Sequence, residues 1–189
     1  MSLALPQTPF WFIRHGQTRY NAAGLAQGSL DIELNETGRA QAQKAAPVLV
    51  GRGITQIWCS PLRRARETAE IINRSLHLAV HIEADLREVD FGEKEGLPID
   101  GWLADFIAGR YVPEGAESYN ALKARVAEGM RRIVLESETP VLIVAHGGVL
   151  RAVRDLMKLP KEGPTGNALP LYCQPSSSGW QMSDIDPIV

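Results

Sequence analysis

The chain has 189 residues, a length that one domain with a sizeable core accommodates. Lysine and arginine total 20 against 22 for aspartate and glutamate, a formal net charge of -2, so no global basic field points to nucleic acid or an anionic membrane surface. Two cysteines, Cys59 and Cys173, are too few for a disulfide framework and fit reduced thiols in a cytoplasmic protein, and the apolar run at residues 141–145 is far too short to span a bilayer.

The opening MSLALPQTPF carries two prolines and no basic segment, which argues against a signal peptide, and Met1, Ser2 and Leu3 are compatible with a cloning remnant. FWFI, residues 10–13, follows Pro9 and reads as a short strand buried on both faces; it ends in Arg14-His15-Gly16. A helix is expected over 38–50, with Thr37 as its N-cap and Gly51 or Gly53 near its end. Residues 54–59 form the next strand, and Ser60-Pro61 opens a helix to 75, with proline at a first position where its missing N–H costs nothing. Between Gly92 and Gly115 the pattern weakens. That stretch, with Pro98, Trp102, Phe106 and Pro113, reads as a short cover over the sheet edge, within a cover segment of about 92–117.

Ser118 starts another helix, since Leu122, Val126, Met130 and Ile133 recur at helical spacing. A strand over 141–145 precedes a helix over 149–157, and strands over 168–173 and 180–182 flank the turn-forming PSSSG. Alternating strands and helices imply a mainly parallel sheet with helices on both faces. Nothing marks a linker, so residues 1–189 are read as a single domain.

The chemistry lies in an echo between three strand ends. FWFI ends in Arg14-His15-Gly16, VLIVA in His146-Gly147-Gly148, and ITQIWC in Ser60-Pro61 with Arg63 and Arg64 a turn into the helix. In a parallel sheet these endings share one edge, where ligands of open α/β folds bind. Two histidines, two or more arginines and a helix N-terminus there make an anion site. A phosphate monoester carries about -1.5 to -2 charges, which two arginines and a protonated imidazole can balance.

Cleavage adds two requirements, a nucleophile and an acid. A neutral imidazole nitrogen can attack phosphorus in line, and His15 is the natural choice; Gly16 is expected to let the backbone approach the phosphate. The leaving oxygen needs a proton. Glu88, beside Val89 and Phe91 in LREVDFGEKEG, is the candidate donor, with Asp90, Glu93 and Glu95 as weaker competitors.

Plainer roles suit the other residues of these types. Arg63 and Arg66 read as solvated helix positions, His77 and His81 as structural or surface residues, Cys59 as a small buried filler, and Trp11 and Trp58 as core. Trp102 either touches substrate or pins the cover. His15, Glu88 and His146 could form a metal set by residue type, but arginines beside a dication would repel it.

RHGQTRYN, SPLRRARETA, LREVDFGEKEG and VAHGGVLR, in this order, resemble the histidine phosphatase superfamily, the phosphoglycerate-mutase-like enzymes that form a phosphohistidine; the resemblance covers residues 10–172. It implies a three-layer α/β/α sandwich on a mostly parallel sheet with one antiparallel strand. It also implies His15 as nucleophile, Arg14, Arg64 and His146 as phosphate clamps, Glu88 as proton donor, and Asn21, Gln27 and the Gly147 amide as pocket-lining positions. The implied activity is metal-independent and cofactor-free hydrolysis of phosphate monoesters of small metabolites. In size and in GLAQGSLDIEL the chain resembles the α-ribazole phosphatase branch.

Two departures stand out. Lys94 occupies the position where many relatives carry tryptophan, which suggests an added cation at the pocket mouth. The cover is short beside that of the mutases and holds only two basic residues, Lys94 and Arg110, which favours hydrolase over mutase. A phospholigand-binding module without turnover is the third reading; a complete set of nucleophile, clamps and acid argues against it. The sequence does not specify an oligomeric state.

Overall fold

The computed structural model describes residues 4–160 and 165–185, so Met1, Ser2 and Leu3 lie outside the described residues. Among those described, the strands are Phe10–Arg14 (β1), Gln56–Cys59 (β2), Ala79–Ile82 (β3), Leu142–Ala145 (β4), Pro170–Ser176 (β5) and Gly179–Asp184 (β6). They form one sheet in the order β3-β2-β4-β1-β5-β6. The pairings among β1, β2, β3 and β4 are parallel, β5 is antiparallel to β1 and β6 antiparallel to β5, so β5 alone runs against the rest.

The helices are Arg19–Ala23 (α1), Glu36–Leu49 (α2), Arg63–Leu76 (α3), Trp102–Ile107 (α4), Tyr119–Glu136 (α5) and Gly147–Leu156 (α6). Alternate residues of the central strands serve opposite layers, as the period of two requires. Phe10, Phe12 and Ile143 pack with Leu122, Val126 and Leu150 of α5 and α6. Trp11, Ile13 and Val144 pack with Leu49, Ala65 and Ile72 of α2 and α3. Burial on both faces is why β1 and β4 are continuously apolar, and it makes the fold a three-layer α/β/α sandwich.

Register sets the site. Arg14 pairs with Ala145, His15 N donates to the Ala145 carbonyl at 2.9 Å, and Ser60 N donates to that of Val144 at 3.1 Å. The parallel pairing therefore places residues 14–16, 60 and 146–148 on one edge, as the echo between strand ends implies.

Several boundaries differ from expectation, each for a tertiary reason. α2 begins at Glu36 because Asn35, not Thr37, is its N-cap: the Asn35 amide oxygen accepts from Gly38 N at 2.8 Å, and its amide nitrogen donates to Gln17 Oε1. α3 begins at Arg63 rather than Pro61. Its N-cap, Leu62, offers no side-chain acceptor, and Arg63 N donates to the Asp31 carboxylate at 2.7 Å, an anion favourably placed at a helix start. α6 starts at Gly147, two residues early, and the short α1 was not foreseen; Thr18 and Asn21 close it with a reciprocal capping box.

The cover carries α4 and is pinned by aromatics. Phe91 meets Trp102 and Phe106 edge to face at 5.2 and 5.5 Å, and the Trp102 indole N–H donates to the Pro98 carbonyl. Trp102 therefore anchors the cover. Backbone bonds Ala26 N to Leu97 O, Gly96 N to Ala26 O and Ile99 N to Gly24 O join the cover to the loop after α1 as one wall.

Candidate active site

His15 follows β1 and is 2% exposed. Its carbonyl accepts from the Asn167 amide, and its Nδ1 lies 2.7 Å from the Gly16 carbonyl oxygen. A carbonyl only accepts, so this bond places the ring hydrogen on Nδ1 and leaves a lone pair on Nε2 in the neutral ring. Burial, then the positive charge of Arg64 and Arg14, pushes the imidazole pKa well below its ordinary value; the bond to Gly16 opposes this and is outweighed. The ring is thus neutral around pH 7.

Gly16 N donates to Thr68 Oγ1 at 3.0 Å, and that hydroxyl donates to the Arg64 carbonyl, which ties the nucleophile loop to α3. The missing side chain at Gly16 serves packing and not phosphate: a Cβ there would collide with the Gly38 carbonyl at the start of α2. The expected role of Gly16 is corrected on that ground.

Arg14 and Arg64 flank the imidazole. Arg14 Nη1 donates to the Thr165 carbonyl at 3.0 Å. Arg64 is fully buried, with Nη1 donating to Leu30 O at 2.6 Å and Nη2 to Gly28 O at 2.8 Å. Burial pushes its pKa down to about 10, against the attraction of Glu88, Asp31 and Glu95, so it stays charged at pH 7. The Nε atoms of both arginines are buried without a hydrogen-bond partner among the described residues. Orphaned buried donors are rare and ask for an explanation; an anion with several acceptor oxygens supplies one.

His146 is the N-cap of α6 and is fully buried. Its Nε2 lies 2.7 Å from Ser60 Oγ, its Nδ1 has no partner among the described residues, and its ring centroid is 5.2 Å from that of His15. Burial and then Arg64 drive its pKa well down. The expectation of a protonated imidazole as a third positive charge is therefore corrected: both rings are neutral. Ser60, expected to cap α3, serves His146. His146 packs against His15 and is not among the residues that line the cavity.

Glu88 lines the same cavity as the two arginines. Its Oε2 accepts from Gly148 N at 3.0 Å and its Oε1 from Val89 N at 2.9 Å. The competing acids are engaged elsewhere. Asp90 accepts from Gly92 N, Glu93 from the Tyr111 hydroxyl, and Glu95 from Ser29 N at 2.6 Å. None of the three lines the cavity.

The cavity measures about 240 Å³. Arg14, His15, Gln27, Arg64, Glu88 and Gly147 line its polar end, and Ile99, Leu103, Phe106 and Ile107 form an apolar wall. Gly147 N is one of the donors a helix start leaves without an intrahelical partner. A larger groove of about 720 Å³ crosses Arg39, Glu67 and Arg74 of α2 and α3. It includes the ion pair of Arg39 with Glu67 and neither imidazole, so the chemistry points to the smaller cavity.

Two sequence expectations fail here. Asn21 does not line the cavity; its amide oxygen accepts from Thr18 N at 3.1 Å as part of the α1 cap. Lys94 is also absent from the lining, and its ammonium lies 3.9 Å from Glu93. Cys59 is a buried free thiol whose pKa burial pushes up to about 12, in keeping with an inert filler. Among the described residues no group of three His, Cys, Asp or Glu side chains is arranged to hold a metal ion.

Two supporting residues escaped the sequence reading. Arg125 of α5 forms a two-point pair with Glu117 and donates to the carbonyls of Asp85, Arg87 and Glu88, which fixes the backbone that presents the Glu88 carboxyl. A charged residue three positions after Leu122, on the apolar stripe of α5, was the signal available. Gly148, named above only as part of a strand end, is the other: its backbone N–H donates a hydrogen bond to the Glu88 carboxyl.

A family model described as the histidine phosphatase superfamily (branch 1) matches residues 10–174. A glucosyl-3-phosphoglycerate phosphatase of Mycobacterium tuberculosis is 37% identical over 166 residues, 78% of this chain and 74% of its own. A mycobacterial glucosyl-3-phosphoglycerate phosphatase solved in complex with VO3 superposes with a TM-score of 0.83 at 33% identity, covering 96% of this chain and 100% of the other. An Escherichia coli K-12 chain solved as a candidate alpha-ribazole-5'-P phosphatase gives a TM-score of 0.80 at 25% identity, over 96% and 97% of the two chains.

Proposed function

The chain belongs to the histidine phosphatase superfamily and is a phosphoric monoester hydrolase of small phosphorylated molecules, and from that premise we propose that turnover runs through a phosphohistidine at His15. Nε2 attacks phosphorus, the P–N bond forms as the ester P–O bond breaks, and protonated Glu88 gives its proton to the departing alkoxide oxygen. Arg14 and Arg64 hold the charge that spreads over the equatorial oxygens, with the Gly147 amide at the helix start beside them. Glu88, now a carboxylate, takes a proton from water as the water oxygen attacks phosphorus. The P–N bond breaks, phosphate leaves, and Nε2 recovers its lone pair.

One observation carries this reading: the 2.7 Å contact of His15 Nδ1 with the Gly16 carbonyl, in a ring that burial and Arg64 keep neutral, leaves Nε2 as the free nucleophile. His146, held by Ser60 with its ring centroid 5.2 Å from that of His15, supports the nucleophile by packing against it. Arg14 and Arg64 supply the positive charge a dication would otherwise bring, so the mechanism calls for no metal and no cofactor. Mutase action has less support. Neither basic residue of the cover faces the cavity, Arg110 being paired with Asp105 at 2.5 Å and Lys94 lying beside Glu93. Two free, buried thiols suit a reducing, cytoplasmic setting. Among the described residues no helix is long and apolar enough to cross a membrane.

The test is trapping. Brief exposure to a phosphate-labelled ester followed by denaturation should leave acid-labile label on the wild type and none on His15→Ala, which should also lose turnover. Full hydrolysis by His15→Ala would end the phosphohistidine reading.

A further inference from the structure

Among the described residues, four charged side chains line the cavity: Arg14, Arg64, Glu88 and Arg151. The first three have the work assigned above. Arg14 and Arg64 together match the charge of a phosphate dianion, which leaves Arg151 as a further cation in the lining. Among the described residues it makes no hydrogen bond and no ion pair.

Its placement is not that of a solvated lysine-like arm. Arg151 is four residues after Gly147 on α6, hence on the same face about 6 Å further along the axis. Helical side chains lean toward the N-terminus, so the guanidinium is directed back along α6 toward the end where Gly147 meets the phosphate position. The acid best placed to neutralise it on its own helix, Asp155 at the next i,i+4 step, accepts instead from the Tyr119 hydroxyl at 3.0 Å. Burial and Asp155 hold the Tyr119 phenol protonated, so that bond persists at neutral pH. The residues that the cover itself contributes to the lining, Ile99, Leu103, Phe106 and Ile107, are all apolar. An unpaired charge beside apolar walls interacts more strongly with an incoming anion than it would in open water.

Building on the phosphatase reading, we propose that Arg151 is a specificity-determining residue that binds a carboxylate on the organic part of the substrate. The preferred esters then carry two anionic ends, a phosphate at His15 and a carboxylate at Arg151, joined by a compact body with apolar surface that rests on the cover. The planar fork of the guanidinium matches a carboxylate at two points. Lys94, which the sequence offered for such a role, does not line the cavity, whereas Arg151 does.

Paired substrates test this. Carboxyphenyl phosphate and carbamoylphenyl phosphate have nearly the same shape and differ in the second charge. Wild type should favour the carboxylate in kcat/KM by on the order of tenfold or more, as a charge-assisted bond in a sheltered site provides. Arg151→Met should bring that ratio close to one, Arg151→Lys should keep part of it, and Arg151→Glu should reverse it. Wild type that hydrolyses both esters without preference overturns the inference and leaves the phosphatase reading standing. Wild type that hydrolyses neither ester, nor p-nitrophenyl phosphate, overturns both. Should the variants fold poorly, binding to wild type decides: carboxybenzylphosphonate must bind more tightly than its carboxamide by a similar factor, and equal affinities refute the role.

Discussion

Gly148→Ala offers a way to move the proposed acid without deleting it. A Cβ at Gly148 would stand 2.3 Å from Glu88 Oε1, where ordinary contact begins at 3.4 Å, so the carboxyl must retreat by about 1.1 Å. The obstructing atom is the end of a flexible side chain, and the fold should survive. Val89 Cγ1, at 3.2 Å, gives way by only a few tenths of an ångström. Misplacing a reacting group by about 1 Å costs on the order of 10²-fold, or about 2.7 kcal/mol of transition-state stabilisation. The loss should depend on the leaving group, because an alkoxide needs the proton and a nitrophenolate does not. For Gly148→Ala we expect kcat/KM on an alkyl phosphate to fall by about 10², with a far smaller fall in phosphoryl transfer from p-nitrophenyl phosphate. Glu88→Gln should show the same bias, and the double variant should be no worse than Glu88→Gln, since both changes disable one group. With the aryl ester, Glu88→Gln should release a burst of nitrophenol and then stall as phosphoenzyme, for want of a base to activate water. Pre-steady-state measurements on both substrates decide the matter: equal losses in the transfer step would remove Glu88 from the role.

What the sequence made legible follows from which physics acts locally. FWFI and VLIVA announce buried strands because a strand covered on both faces must be apolar throughout, and a parallel sheet then fixes where Arg14, His15 and His146 end up. The position of Ser118 at the start of α5 was equally readable, its hydroxyl accepting from Ala121 N three residues on. Residues whose role is set by partners distant in the chain were misread or missed. Thr37 and Asn35 are both plausible caps locally, and a bond from Asn35 to Gln17 decides between them. Ser60-Pro61 looks like a helix start until His146 claims the hydroxyl. Gly16 suggests room for a ligand, whereas the crowding comes from Gly38, 22 positions away in sequence. Lys94 and Arg151 illustrate the same limit: both are cations near a motif, and only the three-dimensional lining separates the one in the cavity from the one outside it.

Arg64→Ala should cost on the order of 10² to 10³ in kcat, as loss of one preorganised charge stabiliser does, and should also lower stability because the carbonyls of Gly28 and Leu30 lose their donors. Arg64→Lys should recover little, since one ammonium cannot reproduce the fork that spans both carbonyls; steady-state rates and thermal melts on the pair check this, and full activity in the lysine variant would mean the fork is irrelevant. The paired imidazoles make stability depend on pH with a definite sign. His15 and His146 both have pKa values held well below 6.5 in the fold, chiefly by burial. Above about pH 6.5 each ring is neutral in folded and unfolded chain alike, and neither contributes a pH dependence. As pH falls below that value the unfolded chain takes up protons that the native site refuses, so the unfolded state gains and the native state loses, by at most about 1.4 kcal/mol per pH unit for each ring. Denaturant titrations between pH 7.5 and 4.5 should therefore show a decline that sets in near pH 6.5, above the range where carboxylates begin to titrate. The decline should weaken in His146→Asn, which removes one of the two groups; a midpoint that stays flat down to pH 5 in the wild type would show that the rings protonate freely, and would undermine the neutral nucleophile at His15.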